Sequence, residues 1–233
     1  MHLFLNEDQI MLQDTIARLL KTESTSERIR AAERNNGFDA ELWSQIVELG
    51  FHSMRATEES GGMGMSLLDA CVVTEEHGRY IAPIPLCEAI AANRLLSLLN
   101  SDKSQSLCEQ ALAGDKLISF LPVALSDSDV VIPWAEIADG VLALKDNQVL
   151  LLENTASSDT PRKNLGAAGH RLATISEDSG ISSTVIAEGD TARDTFLATI
   201  EEWKLLCSAS LAGLARQSLA LATEYACLLY TSP

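Results

Sequence analysis

The spacing of apolar residues changes twice along the chain, and this constrains the fold more than any other feature. Up to about residue 115, apolar side chains recur every three or four positions, as in Glu7–Glu23, which is typical of amphipathic helices. Between Leu117 and Ala187, short apolar runs alternate with polar turns, which indicates strands. From about Thr191 the helical spacing returns. An all-helical or all-sheet fold is therefore excluded.

We predict an α+β multidomain fold from this pattern. Residues 1–115 form an N-terminal helical domain, residues 116–190 a small antiparallel β middle domain, and residues 191–226 the start of a C-terminal helical domain. Asp39 and Ser66 are predicted to cap two of the helices, because a short polar side chain directly before a helical run can accept a free backbone amide. Asp146-Asn147, between two apolar runs, predicts a hairpin turn.

The charge balance excludes some classes of partner. The chain carries 17 Lys and Arg against 33 Asp and Glu, a formal net charge of −16. This disfavours nucleic acid and anionic membrane surfaces, which attract clustered basic residues. The longest helical stretch without a charge, Leu205–Ala215, has 11 residues, fewer than the ~20 that cross a bilayer. We therefore expect no nucleic-acid partner and no membrane span, and the N-terminus lacks the basic start of a signal peptide.

The cysteines indicate neither a disulfide framework nor a metal site. The chain has five, none in a Cys-x-x-Cys pair: Cys71, Cys87, Cys108, Cys207 and Cys227. An odd number without paired spacing favours free thiols in a reducing, cytoplasmic compartment. We expect the first four to be small buried apolar residues.

No short sequence motif identifies a catalytic reaction. The glycine cluster at residues 61–64 lacks the Lys and Ser/Thr of a phosphate-binding loop, so a tight turn between helices is predicted. Neighbouring acids on a helix point in different directions and do not form a shared acid–base site, and this applies to Glu58-Glu59, Glu75-Glu76 and Glu201-Glu202. The histidines lack metal-ligand spacing: His52, His77 and His170. We therefore assign no catalytic residue and no metal ligand.

Three groups of residues nevertheless form a recognisable set. They are Leu49-Gly50-Phe51 followed by Glu58–Ser66, with Thr57 where a proline is usual; Glu75–Leu86, with its Glu-Glu-x-Gly-Arg and Pro-x-Pro; and Ala212–Arg216 followed by Ala222–Ala226. Together they resemble the acyl-CoA dehydrogenase family over nearly all of residues 1–226.

This resemblance implies a fold and an activity. The fold is N-terminal helices, a β domain and a C-terminal four-helix bundle, of which this chain would hold only the first helix or helices. The activity is α,β-dehydrogenation of an acyl-CoA thioester in lipid metabolism, including fatty acid β-oxidation, with FAD as cofactor. The partners implied are the acyl-CoA, an electron-transfer flavoprotein as electron acceptor, and further subunits of a homo- or hetero-oligomer.

Two departures from the family leave the site residues open. The segment that should touch the flavin, residues 120–129, does not match, so no cofactor-binding residue is assigned, although Ser126 and Ser128 are the nearest hydroxyls. The family's catalytic glutamate lies deeper in the bundle, and Glu201, Glu202 and Glu224 come too early to be it. The alternative is therefore a non-catalytic partner subunit of a hetero-oligomeric acyl-CoA dehydrogenase, and a blander one is a helical interaction module without ligand.

The last residues, 227–233, depart from the family altogether. They can be back-translated as TGT CTC TTA TAC ACA TCT CCG, which resembles the transposon end and adapter of some sequencing libraries. We interpret them as a non-native tail on a truncated and inactive fragment. A natural divergent terminus is the alternative.

Overall fold

The computed structural model describes residues 4–34, 37–125, 130–154, 171–173 and 181–231. The N-terminal part holds α1 (Glu7–Glu23), α2 (Ser26–Arg34), α3 (Ala40–Glu48), α4 (Leu67–Arg79), α5 (Leu86–Leu98) and α6 (Asp102–Leu112), with short 3-10 turns at Phe51–Ser53 and Glu58–Ser60. Asp39 accepts the amide of Leu42 at 3.0 Å, and Ser66 forms a capping box with Asp69. Both predicted helix caps are thus confirmed.

The middle part forms two small sheets. The strands are β1 (Ile118–Ala124), β2 (Val130–Ile132), β3 (Gly140–Lys145), β4 (Gln148–Asn154), β5 (Arg171–Ala173) and β6 (Ile181–Glu188). The larger sheet has the order β1-β3-β4-β6, and β2 pairs with β5. The predicted hairpin at Asp146-Asn147 joins β3 to β4, with Asp146 in the left-handed region.

The prediction of an antiparallel β domain needs one correction. Strands β3, β4 and β6 pair antiparallel, as do β2 and β5, but β1 pairs parallel to β3. A parallel pair requires a crossover between its two strands, and β2 and the turn at residues 133–139 lie in this connection. The sheet is therefore mixed.

Both faces of the larger sheet are buried. Alternate residues of β1, β3 and β4 pack on one side against α5, α6 and the C-terminal helix, with Phe120 and Phe196 stacked 4.9 Å apart. Their neighbours in sequence face the opposite side and pack with the residues around β2. This alternation is the period of two that strands impose on their side chains. It explains why the strands read as nearly continuous apolar runs.

The C-terminal helix, α7 (Asp190–Thr231), is a single helix of 42 residues that crosses α4 at backbone contact distance. A Cβ on Gly213 would lie 1.8 Å from the carbonyl oxygen of Glu75, and one on Gly78 would lie 1.8 Å from that of Ser210. Only glycine permits this approach. By length and composition alone the span Asp190–Leu228 is apolar enough to cross a membrane, which is weak support because core helices of soluble proteins meet the same criterion. The expectation of no span stays a prediction.

Candidate functional site

A cleft of about 680 Å³ opens where the end of β1 faces the first third of α7. The β1 wall consists of Pro122, Val123 and Ala124, and the α7 wall of Leu197, Ala198, Ile200, Glu201 and Lys204. The pairing of β1 with β3 shifts register between Phe120 and Ala124, where Pro122 has no amide to donate. This irregular strand end turns apolar side chains toward the helix.

The cleft has apolar walls and one charged end. Val123 and Leu197 are about half exposed, at 48% and 44%, although both are apolar. Lys204 Nζ donates to Glu201 Oε1 at 2.7 Å, one helical turn away. Both charges are largely exposed, so the pair stabilises the fold little and its lysine is available to a ligand. The cleft suits an elongated apolar group joined to a polar, anionic one.

Several polar contacts hold α7 in place, and three of them are strong or central to its packing. Arg55 forms a two-pronged ion pair with Glu202, with nitrogen–oxygen distances of 2.9 to 3.0 Å. Trp203 Nε1 donates to Glu88 Oε1 at 3.2 Å. Further along, Arg216 reaches Glu76 at 2.8 Å. These contacts fix the rotation of α7, and so determine which of its residues face β1.

The buried carboxylate of Glu76 is the centre of the third contact. It is only 1% exposed and accepts hydrogen bonds from Gln13 at 3.0 Å, Arg79 at 3.2 Å and Arg216 at 2.8 Å. Since two cations and an amide surround it, its charge is compensated within the fold. Glu76 therefore has a structural role, joining α1, α4 and α7.

The sequence motifs that carried the resemblance turn out to build this same helix crossing. Gly78 belongs to the Glu-Glu-x-Gly-Arg stretch and Gly213 to the Ala-Gly-Leu-Ala-Arg stretch, and the two stretches pack on each other. The glycine cluster is the predicted tight turn: Gly61 ends the 3-10 turn at φ 87°, and Gly62 lies against the backbone of Ala56. The predicted structural interpretation of these glycines is confirmed.

Of the two described histidines, His52 is buried and His77 is half-buried, and both make structural contacts. Burial lowers the pKa of His77, whose Nε2 lies 3.2 Å from the carbonyl of Ile84 and whose Nδ1 lies 3.3 Å from the hydroxyl of Ser210. Burial also lowers the pKa of His52, which bonds the carbonyl of Leu112 at 3.2 Å. Both are therefore neutral at pH 7. The third candidate, His170, lies outside the described residues.

Four of the cysteines, Cys71, Cys87, Cys108 and Cys207, are thiols outside any disulfide. Cys87 and Cys108 are buried, whereas Cys71 and Cys207 are half-buried. Burial raises the pKa of Cys108 to about 11, which keeps its thiol protonated and unreactive. Across the described ranges, no group of three or more His, Cys, Asp or Glu side chains could hold a metal ion.

The structure places the acidic residues weighed in the sequence at separate points of α7. Glu201 lines the cleft, Glu202 is bound by Arg55, and Glu224 is exposed far along the helix. That none of them is the catalytic base stays a prediction. Ser126 and Ser128 lie outside the described residues.

Sequence reasoning missed two residues at this site, Glu88 and Lys204. Glu88 had a usable signal, since it is an isolated acid in the apolar run from Leu86 to Ala92. Lys204 had none beyond its spacing of three from Glu201.

The described cleft residues do not form a binding set for a flavin diphosphate. The lining offers one cation, Lys204, already paired with Glu201, and no hydroxyl side chain. A diphosphate is usually held by a glycine-rich turn, a helix N-terminus or several donors. The described lining therefore does not fit the diphosphate of FAD.

The fold defines a class: a helical N-terminal domain, a small mixed sheet and a long C-terminal helix. Residues 6–110 match the family profile described as acyl-CoA dehydrogenase, N-terminal domain. The chain is 30% identical over 77% of its length to "Acyl-CoA dehydrogenase IpdE2" of Mycolicibacterium smegmatis, and 27% identical over 94% to the protein of that name from Mycobacterium tuberculosis. Over residues 6–110 the chain belongs to the acyl-CoA dehydrogenase N-terminal domain family.

The solved structures agree on the fold. One titled "Crystal structure of the ChsE4-ChsE5 complex from Mycobacterium tuberculosis" superposes with a TM-score of 0.78 at 22% identity, covering 100% of this chain and 69% of that chain. The chain spans about three fifths of the curated relatives, 58% and 64% of their respective lengths.

Proposed function

We propose that this chain is part of a flavin-dependent acyl-CoA dehydrogenase and that the acyl-CoA thioester lies in the cleft between β1 and α7. Family membership supports the reaction class, and the cleft is the observation that carries the placement. Its Val, Pro, Leu and Ile walls suit the acyl chain of such a thioester. FAD, when bound, would accept the hydride removed from the β-carbon.

A second cleft of about 630 Å³ is a poorer candidate. It lies between the α5–α6 turn, β6 and the start of α7, and its lining includes Asp102, Lys103 and Glu188. Two acids against one lysine repel a CoA, which carries several negative charges. The β1–α7 cleft has one acid and one lysine, so it does not carry this penalty.

The alternative proposal is a partner subunit without flavin chemistry of its own. Its support is the lining of the β1–α7 cleft, which shows no diphosphate-binding set among the described residues, and a structural neighbour whose title names a two-protein complex. In either proposal the protein works in an oligomer in the cytoplasm, and the dehydrogenase passes its electrons to an electron-transfer flavoprotein.

The absorption spectrum of the complete gene product separates the two proposals. A dehydrogenase purifies yellow, and its flavin absorption bleaches when an acyl-CoA substrate is added, because the reduced flavin loses its visible band. A colourless protein that stays unchanged with a panel of acyl-CoA thioesters would contradict the dehydrogenase and support the partner subunit. The 233-residue chain is expected to show no bleaching, since the base is predicted to lie outside it.

A further inference from the structure

We propose that Glu88 is a positioning residue that holds the two walls of the β1–α7 cleft in one arrangement. Glu88 lies in the first turn of α5, and its carboxylate accepts hydrogen bonds from two indoles, those of Trp203 and Trp134. Trp203 belongs to α7 and Trp134 to the turn after β2. One carboxylate thus joins the N-terminal helices, the β domain and the C-terminal helix.

The link from Glu88 to the α7 wall is short. Trp203 lies next to Lys204 and one turn after Ile200, and both of those residues line the cleft. The indole of Trp203 also packs against two separate apolar cores, one under the sheet and one among the N-terminal helices. Its rotamer is therefore fixed by packing and by the bond to Glu88, and it sets the rotation of this part of α7.

The link from Glu88 to the β1 wall runs through the turn at residues 133–139. Ser119 in β1 donates to the carbonyl of Pro133 at 2.9 Å, and Leu117 and Asp139 exchange two further hydrogen bonds of 2.8 and 2.9 Å. Movement of the turn therefore moves β1. Trp134, which directs its indole to Glu88, lies in this turn.

The backbone of Trp134 supports the assignment of a specific role. Trp134 is in the left-handed region at φ 57°, which is rare and strained for a bulky aromatic residue. Such a conformation persists only where other contacts impose it. Two amides, those of Ile137 and Ala138, bond its carbonyl at 3.0 and 2.9 Å, and its side chain is 8% exposed.

Glu88 is also an unusual choice for a purely structural position. All three donors to it are neutral: the two indoles and its own backbone amide. Glu76, by contrast, is surrounded by two arginines. Burial raises the pKa of Glu88, so these neutral donors offset the desolvation of its carboxylate only in part. The geometry therefore assigns Glu88 to holding β1 and α7 in one relative position. Only the identity of the ligand in the cleft rests on the proposed function.

Hydrogen exchange of the ligand-free 233-residue chain tests this proposal, with Glu76→Ala as the matched control. In Glu88→Ala we expect amides of residues 117–124, 133–139 and 197–204 to exchange roughly tenfold faster, the scale of one lost hydrogen bond to a charged group. In Glu76→Ala the faster exchange should fall on α1, α4 and the later part of α7, leaving residues 133–139 unchanged. Glu88→Gln, which keeps one acceptor oxygen, should fall between Glu88→Ala and wild type.

Two outcomes would overturn the positioning role. One is the same exchange pattern in Glu88→Ala and Glu76→Ala, which would mean general loosening. The other is unchanged exchange at residues 133–139 in Glu88→Ala. As a second measurement, tryptophan emission in a Trp43→Phe background should shift to the red in Glu88→Ala and not in Glu76→Ala. None of these measurements uses an acyl-CoA, so failure of the proposed function leaves them interpretable.

Discussion

At the scale of single residues, the packing of α7 on α4 depends on a few positions that tolerate no additional side-chain atom. Gly213 and Gly78 let α7 and α4 approach to backbone contact, and Glu76 closes the same crossing with its ion pairs. These residues were recognisable in the sequence only as parts of a family pattern. The structure supplies the physical reason for their identity.

Gly213→Ala should unfold the chain at markedly lower denaturant. Its Cβ would lie 1.8 Å from the carbonyl oxygen of Glu75, so a helix backbone must move. We expect the free energy of unfolding to fall by about 3 kcal/mol or more. The control is Gly189→Ala, whose Cβ meets nothing within 4 Å and which should cost only about 1–2 kcal/mol for its left-handed backbone. If urea denaturation gave the same loss of unfolding free energy for both variants, the close contact of α7 with α4 at Gly213 would be contradicted.

At the scale of elements, local signals predicted the helices well, and long-range contacts were the part that could not be predicted. Asp39 and Ser66 mark helix starts because a cap acts within its own turn. The parallel pairing of β1 with β3 depends on a crossover of 15 residues, residues 125–139, whose path no local pattern specifies. The cleft depends on two elements about 75 residues apart in sequence, so its residues could not be selected in advance.

His77 makes the packing of α4 against α7 sensitive to acid. The carbonyl oxygen of Ile84 can only accept a hydrogen bond, so Nε2 of His77 carries the hydrogen and donates to it. The other ring nitrogen, Nδ1, then accepts a hydrogen bond from the hydroxyl of Ser210. Burial lowers the pKa of His77 below its usual 6.5. As the pH falls, this histidine is therefore protonated at a higher pH in the unfolded chain than in the folded chain. The free energy of unfolding decreases as the pH drops below about 6.5.

Urea denaturation at pH 7.5 and 5.5 checks this expectation. The wild type should lose stability between the two values, and His77→Gln, which cannot titrate, should lose less. His52 contributes in the same direction, since burial lowers its pKa too, and His52→Gln is the comparison variant. An identical loss in wild type and in the variant lacking both histidines would contradict the assignment.

At the scale of the whole molecule, α7 exposes several large apolar side chains beyond Lys204. Six of its large apolar side chains are between 52% and 69% exposed: Leu205, Leu211, Leu219, Leu221, Tyr225 and Leu228. Soluble monomers rarely expose a contiguous apolar patch of more than a few hundred Å².

We therefore expect the 233-residue chain to associate in solution. Light scattering should give a mass above the 25.1 kDa of one chain, rising with concentration. Replacing Leu211, Leu219 and Leu221 together by lysine should return the mass toward that of one chain, because it removes apolar contact surface. The folded chain should tolerate the change, since all three side chains are already exposed. A wild-type chain that stays monomeric at high concentration would contradict this expectation.

The most direct test of the account is the affinity of the complete gene product for an acyl-CoA thioester, measured by calorimetry in wild type and two tryptophan variants. Ala198→Trp fills the β1–α7 cleft from an exposed helix position, and Thr191→Trp fills the second cleft in the same way. We predict that Ala198→Trp weakens binding about tenfold or more, whereas Thr191→Trp leaves it unchanged. Unchanged binding in Ala198→Trp, or loss in Thr191→Trp alone, would contradict the placement of the substrate.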